Sequence, residues 1–150
     1  MKIKILNKSE KNKIIEKLEK YGINKIPYLL IQTGREKIRA FSGNLSKEEI
    51  IILNRLINIE SIGLYFAKFH GTDLRLSIDA CHILKSQINK KIIKLTDKQA
   101  QEYLEGKTVE IKQKLKNDFY ILKHNLDILG MAKITENIIK NYLPKERRKP

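Results

Sequence analysis

The sequence predicts an α+β protein: an N-terminal α/β unit over residues 1–87, followed by a small β-barrel over residues 88–150. Two observations carry this expectation. As far as residue 86, amphipathic helical stretches alternate with pairs of short apolar runs, in the order helix, two strands, helix, two strands, helix. From about Asn89 onward, short strand-like segments are interrupted by a single helical stretch, which is the pattern of a small barrel. A chain of 150 residues can form one medium domain or two small ones that share an interface.

In the first unit, Ile14, Ile15, Leu18 and Tyr21 lie at helical spacing within residues 9–21, and Gly22 supplies a stop. IPYLLIQ (26–32) reads as a buried strand, Thr33-Gly34 as a turn and residues 37–41 as a returning strand. Ser46 followed three residues later by Glu49 is a capping-box pattern, opening a helix whose apolar face holds Ile50, Leu53 and Ile57. GLYFAKF (63–69) reads as a strand, residues 70–73 as a turn and residues 74–78 as its return. Asp79 is placed to cap a short helix through ACHILK.

In the second unit, residues 91–95 read as a strand, and Thr96 with Gln99 is another capping-box pattern. The helix DKQAQEYLE ends at Gly106. Strands are expected at 108–111, 119–123 and 129–134, with a turn at 124–127.

The formal net charge is +14 and divides evenly, +7 on residues 1–86 and +7 on 87–150. An excess of cations attracts phosphate polyanions and releases their counterions, so nucleic acid is the first partner to consider. The cations are mostly lysine, 25 against six arginines, and there are 25 isoleucines. Such a composition also follows from an A/T-rich genome or a hot habitat, so charge alone leaves binding open.

Cys81 is the sole cysteine, which excludes an internal disulfide and a thiolate zinc cluster. No apolar run has the length of a signal peptide or a membrane span, so a cytoplasmic protein with no membrane partner is expected.

The glycines are too scattered for a nucleotide-phosphate cradle. His70, His82 and His124 are too widely spaced for a metal-ligand pattern, and the carboxylates are dispersed among lysines. The expectation is a binding module with no catalytic residue, no metal and no cofactor. A weaker alternative is an RNA-modifying enzyme with Cys81, adjacent to His82, as nucleophile.

Two constellations point to RNA. In GLYFAKFHGTDLRLSIDA (63–80), Arg75 alternates with Leu74 and Leu76, and Lys68 sits between Ala67 and Phe69. Lys68, His70 and Arg75 should therefore gather near a hairpin tip, as a phosphate-contacting patch or as a solvated face with an Arg75–Asp ion pair. The second lies in residues 129–148. Gly130 permits a close backbone approach and Lys133 follows on the same strand, while Lys123 ends the preceding one.

Lys140, Lys145, Arg147, Arg148 and Lys149 against Glu146 give the last eleven residues a charge of +4. Asn141 and Tyr142 interleave an amide and a stackable ring, which suits an RNA whose bases splay out; the alternative is a solubilising tail. If Arg147 and Arg148 both contact phosphate, removing the pair should weaken RNA binding by about 1–2 kcal/mol with thermal stability unchanged.

Residues 63–84 resemble the domain that precedes the PUA domain in the Nip-seven family of ribosome-biogenesis factors. That family has a GxxFxKF strand followed by an R-L-x-I/V strand, matched here by Phe66, Lys68, Phe69, Arg75, Leu76 and Ile78. The C-terminal part is similar to the PUA-like module of Nol/Nop/Sun RNA cytosine-5 methyltransferases. Leu129, Gly130 and Lys133, then Lys140, Asn141, Pro144 and Lys145 with a closing Arg147 or Arg148, follow its pattern. Ala132 stands where a glycine is usual and Met131 where an aromatic is common.

The two resemblances imply an archaeal-type, stand-alone pre-PUA and PUA-like protein without a methyltransferase catalytic domain. They imply a non-catalytic factor of ribosome biogenesis or rRNA modification that binds structured RNA, either rRNA or pre-rRNA. An adaptor that recruits ribosome-assembly proteins or an RNA methyltransferase is the alternative.

Overall fold

The computed structural model describes residues 2–150. Among them, two five-stranded sheets form. The first is an antiparallel meander in sequence order: β1 (Ile3–Ile5), β2 (Leu29–Thr33), β3 (Lys37–Phe41), β4 (Leu64–His70) and β5 (Asp73–Leu76). Strand β1 has only three residues, too few to show a period of two, and the sequence reading misses it.

Helix α1 (Lys8–Leu18) starts from a capping box of Asn7 and Glu10. A 3-10 turn (Glu19–Tyr21) follows, and Gly22 closes it at φ +95°. Helix α2 (Lys47–Leu56) begins with the expected Ser46–Glu49 box. Helix α3 (Ile78–Ile83) corrects the expected cap. Ser77 caps it, accepting from the Ala80 amide at 3.0 Å and donating to the Tyr65 carbonyl at 2.6 Å, while Asp79 lies in the first turn. The preceding strand accordingly stops at Leu76 rather than residue 78.

The second sheet comprises β6 (Ile92–Lys94), β7 (Val109–Glu110), β8 (Asp118–His124), β9 (Asp127–Thr135) and β10 (Ile138–Ile139), in the order β6-β8-β9-β10-β7. Strand β6 runs parallel to β8 and the other pairs are antiparallel. Helix α4 (Asp97–Leu104) opens with the Thr96–Gln99 box. Strand β10 is absent from the sequence reading. Its turn uses Glu136 and Asn137, both at positive φ, without the glycine that marks such hairpins in a sequence. The mixed sheet with α4 fits a PUA-like β-barrel type of unit.

Strand β8 joins the two sheets. Its side chains alternate between two cores, and both faces are apolar. Phe119 and Ile121 pack with Leu18, Tyr21, Phe66, Leu76 and Met131, whereas Tyr120 and Leu122 pack with Tyr103, Val109, Ala132 and Leu143. Each fully buried side chain of this size contributes about 1.5–3 kcal/mol.

Polar ties reinforce the junction. The Tyr21 hydroxyl donates to the Phe119 carbonyl at 3.1 Å. Asp118 bridges Lys20 and Lys91, and the Leu76 amide meets the Met131 sulfur.

Candidate nucleic-acid interface

Register brings the hairpin residues together as alternation requires. Lys68 stands opposite Arg75 on β4 and β5, and His70 is two residues beyond Lys68, so all three share one face. Leu74 and Leu76 are buried on the other. Arg75 Nε donates to His70 Nε2 at 3.2 Å. The guanidinium carbon lies 4.7 Å from the centre of the Tyr142 ring. Among the described residues Arg75 makes no ion pair with a carboxylate, so the expected Arg75–Asp pair is replaced by His70. Lys68 Nζ is 3.5 Å from Glu36.

Behind Arg75, three rings pack against one another. His70, Phe119 and Tyr142 have centres 5.5–6.0 Å apart, and Lys133 Nζ lies 5.9 Å from the Phe119 centre. Burial holds the His70 imidazole below its ordinary pKa, and the nearby Arg75 and Lys68 charges act the same way, against an opposing effect of Glu36. A neutral ring is what Nε2 needs in order to accept from Arg75.

The cluster borders a pocket of about 220 Å³ at the seam of the two sheets, whose lining includes Tyr65, Arg75, Asp79, Tyr142, Glu146 and Arg147. The C-terminal segment, which includes a 3-10 turn (Lys145–Arg147), contributes Tyr142, Pro144, Glu146 and Arg147 to its lining. Arg147 reaches Asp79 at 3.2 Å, and the Lys149 amide donates to the Leu104 carbonyl.

The remaining candidate residues divide. Lys140 and Lys145 are exposed, and the Lys140 amide donates to the Lys133 carbonyl, which sets these two positions side by side. Lys123 lies at the other end of β8, beside a separate cavity of about 360 Å³ lined also by His82, Lys85 and Leu126.

Three others are occupied by the fold itself. Gly130 is buried at φ +127°, and the close approach it permits is that of Ile78 on α3. Asn141 donates to the carbonyls of Tyr103 and Lys107, at 2.7 and 2.8 Å, and accepts from the Leu143 amide. Arg148 donates to the Leu143 carbonyl and lies against Gly106. Their polar groups or surfaces are engaged within the chain, which leaves Lys68, Arg75, Lys133, Lys140, Lys145 and Arg147 as the candidate cations, Lys68 paired with Glu36 and Arg147 with Asp79. Sequence reasoning missed Phe119 and Glu36, which lie far from His70 along the chain and show no local signal.

Cys81 is fully buried, and burial pushes its thiol up to about 12. Such a group is protonated near neutral pH and out of reach of a substrate, which removes it as the candidate nucleophile. Among the described residues no cluster of three or more His, Cys, Asp or Glu could hold a metal ion. No helix there is long and apolar enough to cross a membrane.

Comparison with known families matches residues 90–149 to the model described as the PUA domain of methyltransferase RsmF. No curated protein matches the chain. The matched span runs from just before β6 through the C-terminal turn and leaves out the hairpin that carries Arg75. PUA domains are RNA-binding modules. Residues 90–149 are therefore similar to a PUA domain, and this segment is laid against an N-terminal sheet through β8 and the Tyr142–Arg75 contact.

Proposed function

We propose that the protein is a cytoplasmic, non-catalytic RNA-binding factor acting in ribosome biogenesis or rRNA modification. The observation that carries this reading is a PUA-like module within a chain of net charge +14. Residues 1–87 act as a pre-PUA domain of the Nip-seven type, and residues 88–150 as the RNA-docking unit. Lys68, Lys133, Lys140, Lys145 and Arg147 contact phosphates, while RNA shape and a few base edges supply specificity.

If about four to six phosphates are neutralised, log affinity for rRNA fragments should fall against log salt with a slope of roughly −3 to −5. A slope near zero would sink the reading. Crosslinking in cells, followed by sequencing of the bound fragments, tests the assignment to rRNA or its precursors.

One observation favours a second reading, an adaptor for an RNA methyltransferase or an assembly protein. Ile51, Ile52 and Leu56 on α2, with Ile57 after it, are exposed, Leu56 to 75%. Protein partners that survive nuclease treatment in a pull-down, and are lost from Leu56→Glu, would support the adaptor.

A further inference from the structure

We propose that the seam pocket takes one unstacked guanine of single-stranded RNA; this rests on the RNA-binding reading. Four observations converge on it. First, Arg75 is held before any ligand arrives. Its Nε is engaged by His70 and its face rests on Tyr142, yet among the described residues its terminal nitrogens have no partner. A guanidinium fixed in this way loses little freedom when it binds.

Second, Glu146 lines the same pocket, has no partner among the described residues and forms no ion pair with Arg75. A donor fork and an acceptor thus line one cavity without pairing with each other. Third, the lining charges cancel: Arg75 and Arg147 against Asp79 and Glu146. Inside the pocket a phosphate gains little, whereas a neutral ligand with both donors and acceptors is matched; a phosphate contact of Arg147 lies on its exposed side, outside the pocket. Fourth, the volume of about 220 Å³ lies below the roughly 300–1,000 Å³ of sites for larger ligands, and two tyrosines, Tyr65 and Tyr142, are among the lining residues. One base suits it better than a dinucleotide.

Guanine fits this lining. Its O6 and N7 form the paired acceptor edge that an arginine fork reads, and its N1 and N2 protons lie on an adjoining edge for a carboxylate. Adenine places a donor where O6 stands, and pyrimidines lack N7. Lys133, Lys140 and Lys145 lie outside the pocket lining and take the flanking phosphates.

The test uses the full chain and twelve-nucleotide RNAs at fixed salt. The probes are oligo-U and the same strand with a single central G, A, C or abasic position. Affinity is read by fluorescence anisotropy, with an rRNA fragment as the control for general binding. The G-containing strand should bind about tenfold tighter than oligo-U, and the other strands within about twofold of it. In Arg75→Lys, which keeps the charge and loses the fork, and in the exposed-site variant Glu146→Ala, the G-to-U ratio should fall towards one.

Equal affinity for all strands by a wild-type protein that binds the rRNA fragment would overturn the guanine site and leave RNA binding standing. So would an unchanged ratio in both variants. No binding to any probe or to the rRNA fragment would overturn both.

Discussion

The guanidinium of Arg75, on the N-terminal hairpin, rests 4.7 Å from the ring centre of Tyr142, in the C-terminal segment of the PUA-like module. Cation–π contacts of this kind contribute about 0.5–2 kcal/mol. The same ring packs edge-on to His70, so one side chain couples hairpin and module. Tyr142→Phe keeps the ring and should change stability by less than about 0.5 kcal/mol. Tyr142→Ala opens the seam and should cost about 1–3 kcal/mol, less than a fully buried ring because Tyr142 is half-buried. Denaturant unfolding of the two variants checks the contrast; equal losses would trace the effect to the hydroxyl.

His70 predicts a pH dependence. Its folded pKa is depressed below the ordinary imidazole value by burial, then by Arg75 and Lys68. Between the two pKa values the unfolded chain holds the extra proton, so stability rises with pH there. The contribution is fully present above the unfolded value of about 6.5 and is lost as pH falls towards the folded value. Protonation also turns Nε2 from an acceptor into a donor facing Arg75 Nε, which breaks that hydrogen bond. The melting temperature should fall from pH 7 to pH 5 more steeply in wild type than in His70→Phe. An NMR titration of His70 should show a midpoint below about 6.5; a midpoint above it would contradict this account.

Local chemistry made much of the fold legible. The Ser46–Glu49 and Thr96–Gln99 boxes mark helix starts because cap and helix lie within four residues. The alternation around Arg75 identified its face for the same reason. What escaped was non-local or too short. Strand β1 exists through pairing with β2, and β10 through a positive-φ turn that carries no glycine. The site was legible as a set of cations but not as a geometry. Whether Asn141 faces RNA or the Tyr103 carbonyl depends on α4, which lies far from it along the chain. The same holds for Phe119 beside His70.

Gly130 illustrates a motif residue whose role is internal. Its φ of +127° is costly for any residue with a Cβ, and an added Cβ would meet Ile78 Cγ1 at 3.2 Å. Gly130→Ala should destabilise the protein by about 1–3 kcal/mol. Adding Ile78→Ala relieves the crowding and leaves the backbone strain, so the double variant should recover only the steric part of the Gly130→Ala loss. A double-mutant cycle from chemical denaturation measures this. Full additivity would show that the cost is backbone strain alone.

The two terminal arginines should separate. From the sequence, both were expected to be free phosphate contacts, and their joint removal harmless to stability. Arg147 remains exposed, and its link to Asp79 is a surface pair of the kind that contributes about 0–1 kcal/mol. Arg148 is half-buried, donates to the Leu143 carbonyl at 3.1 Å and lays its side chain over Gly106. Arg148→Ala leaves that carbonyl without its donor and uncovers apolar surface, a loss of about 1 kcal/mol. For a chain of this size that lowers the melting temperature by about 2–4 °C. Arg147→Ala should leave the melting temperature within error and reduce the salt slope of rRNA binding by roughly 0.7–0.9, one phosphate contact fewer. Arg148→Ala should leave that slope unchanged. The opposite assignment, slope lost with Arg148 and stability lost with Arg147, would mean that the C-terminal turn docks the other way round and presents Arg148 to the RNA.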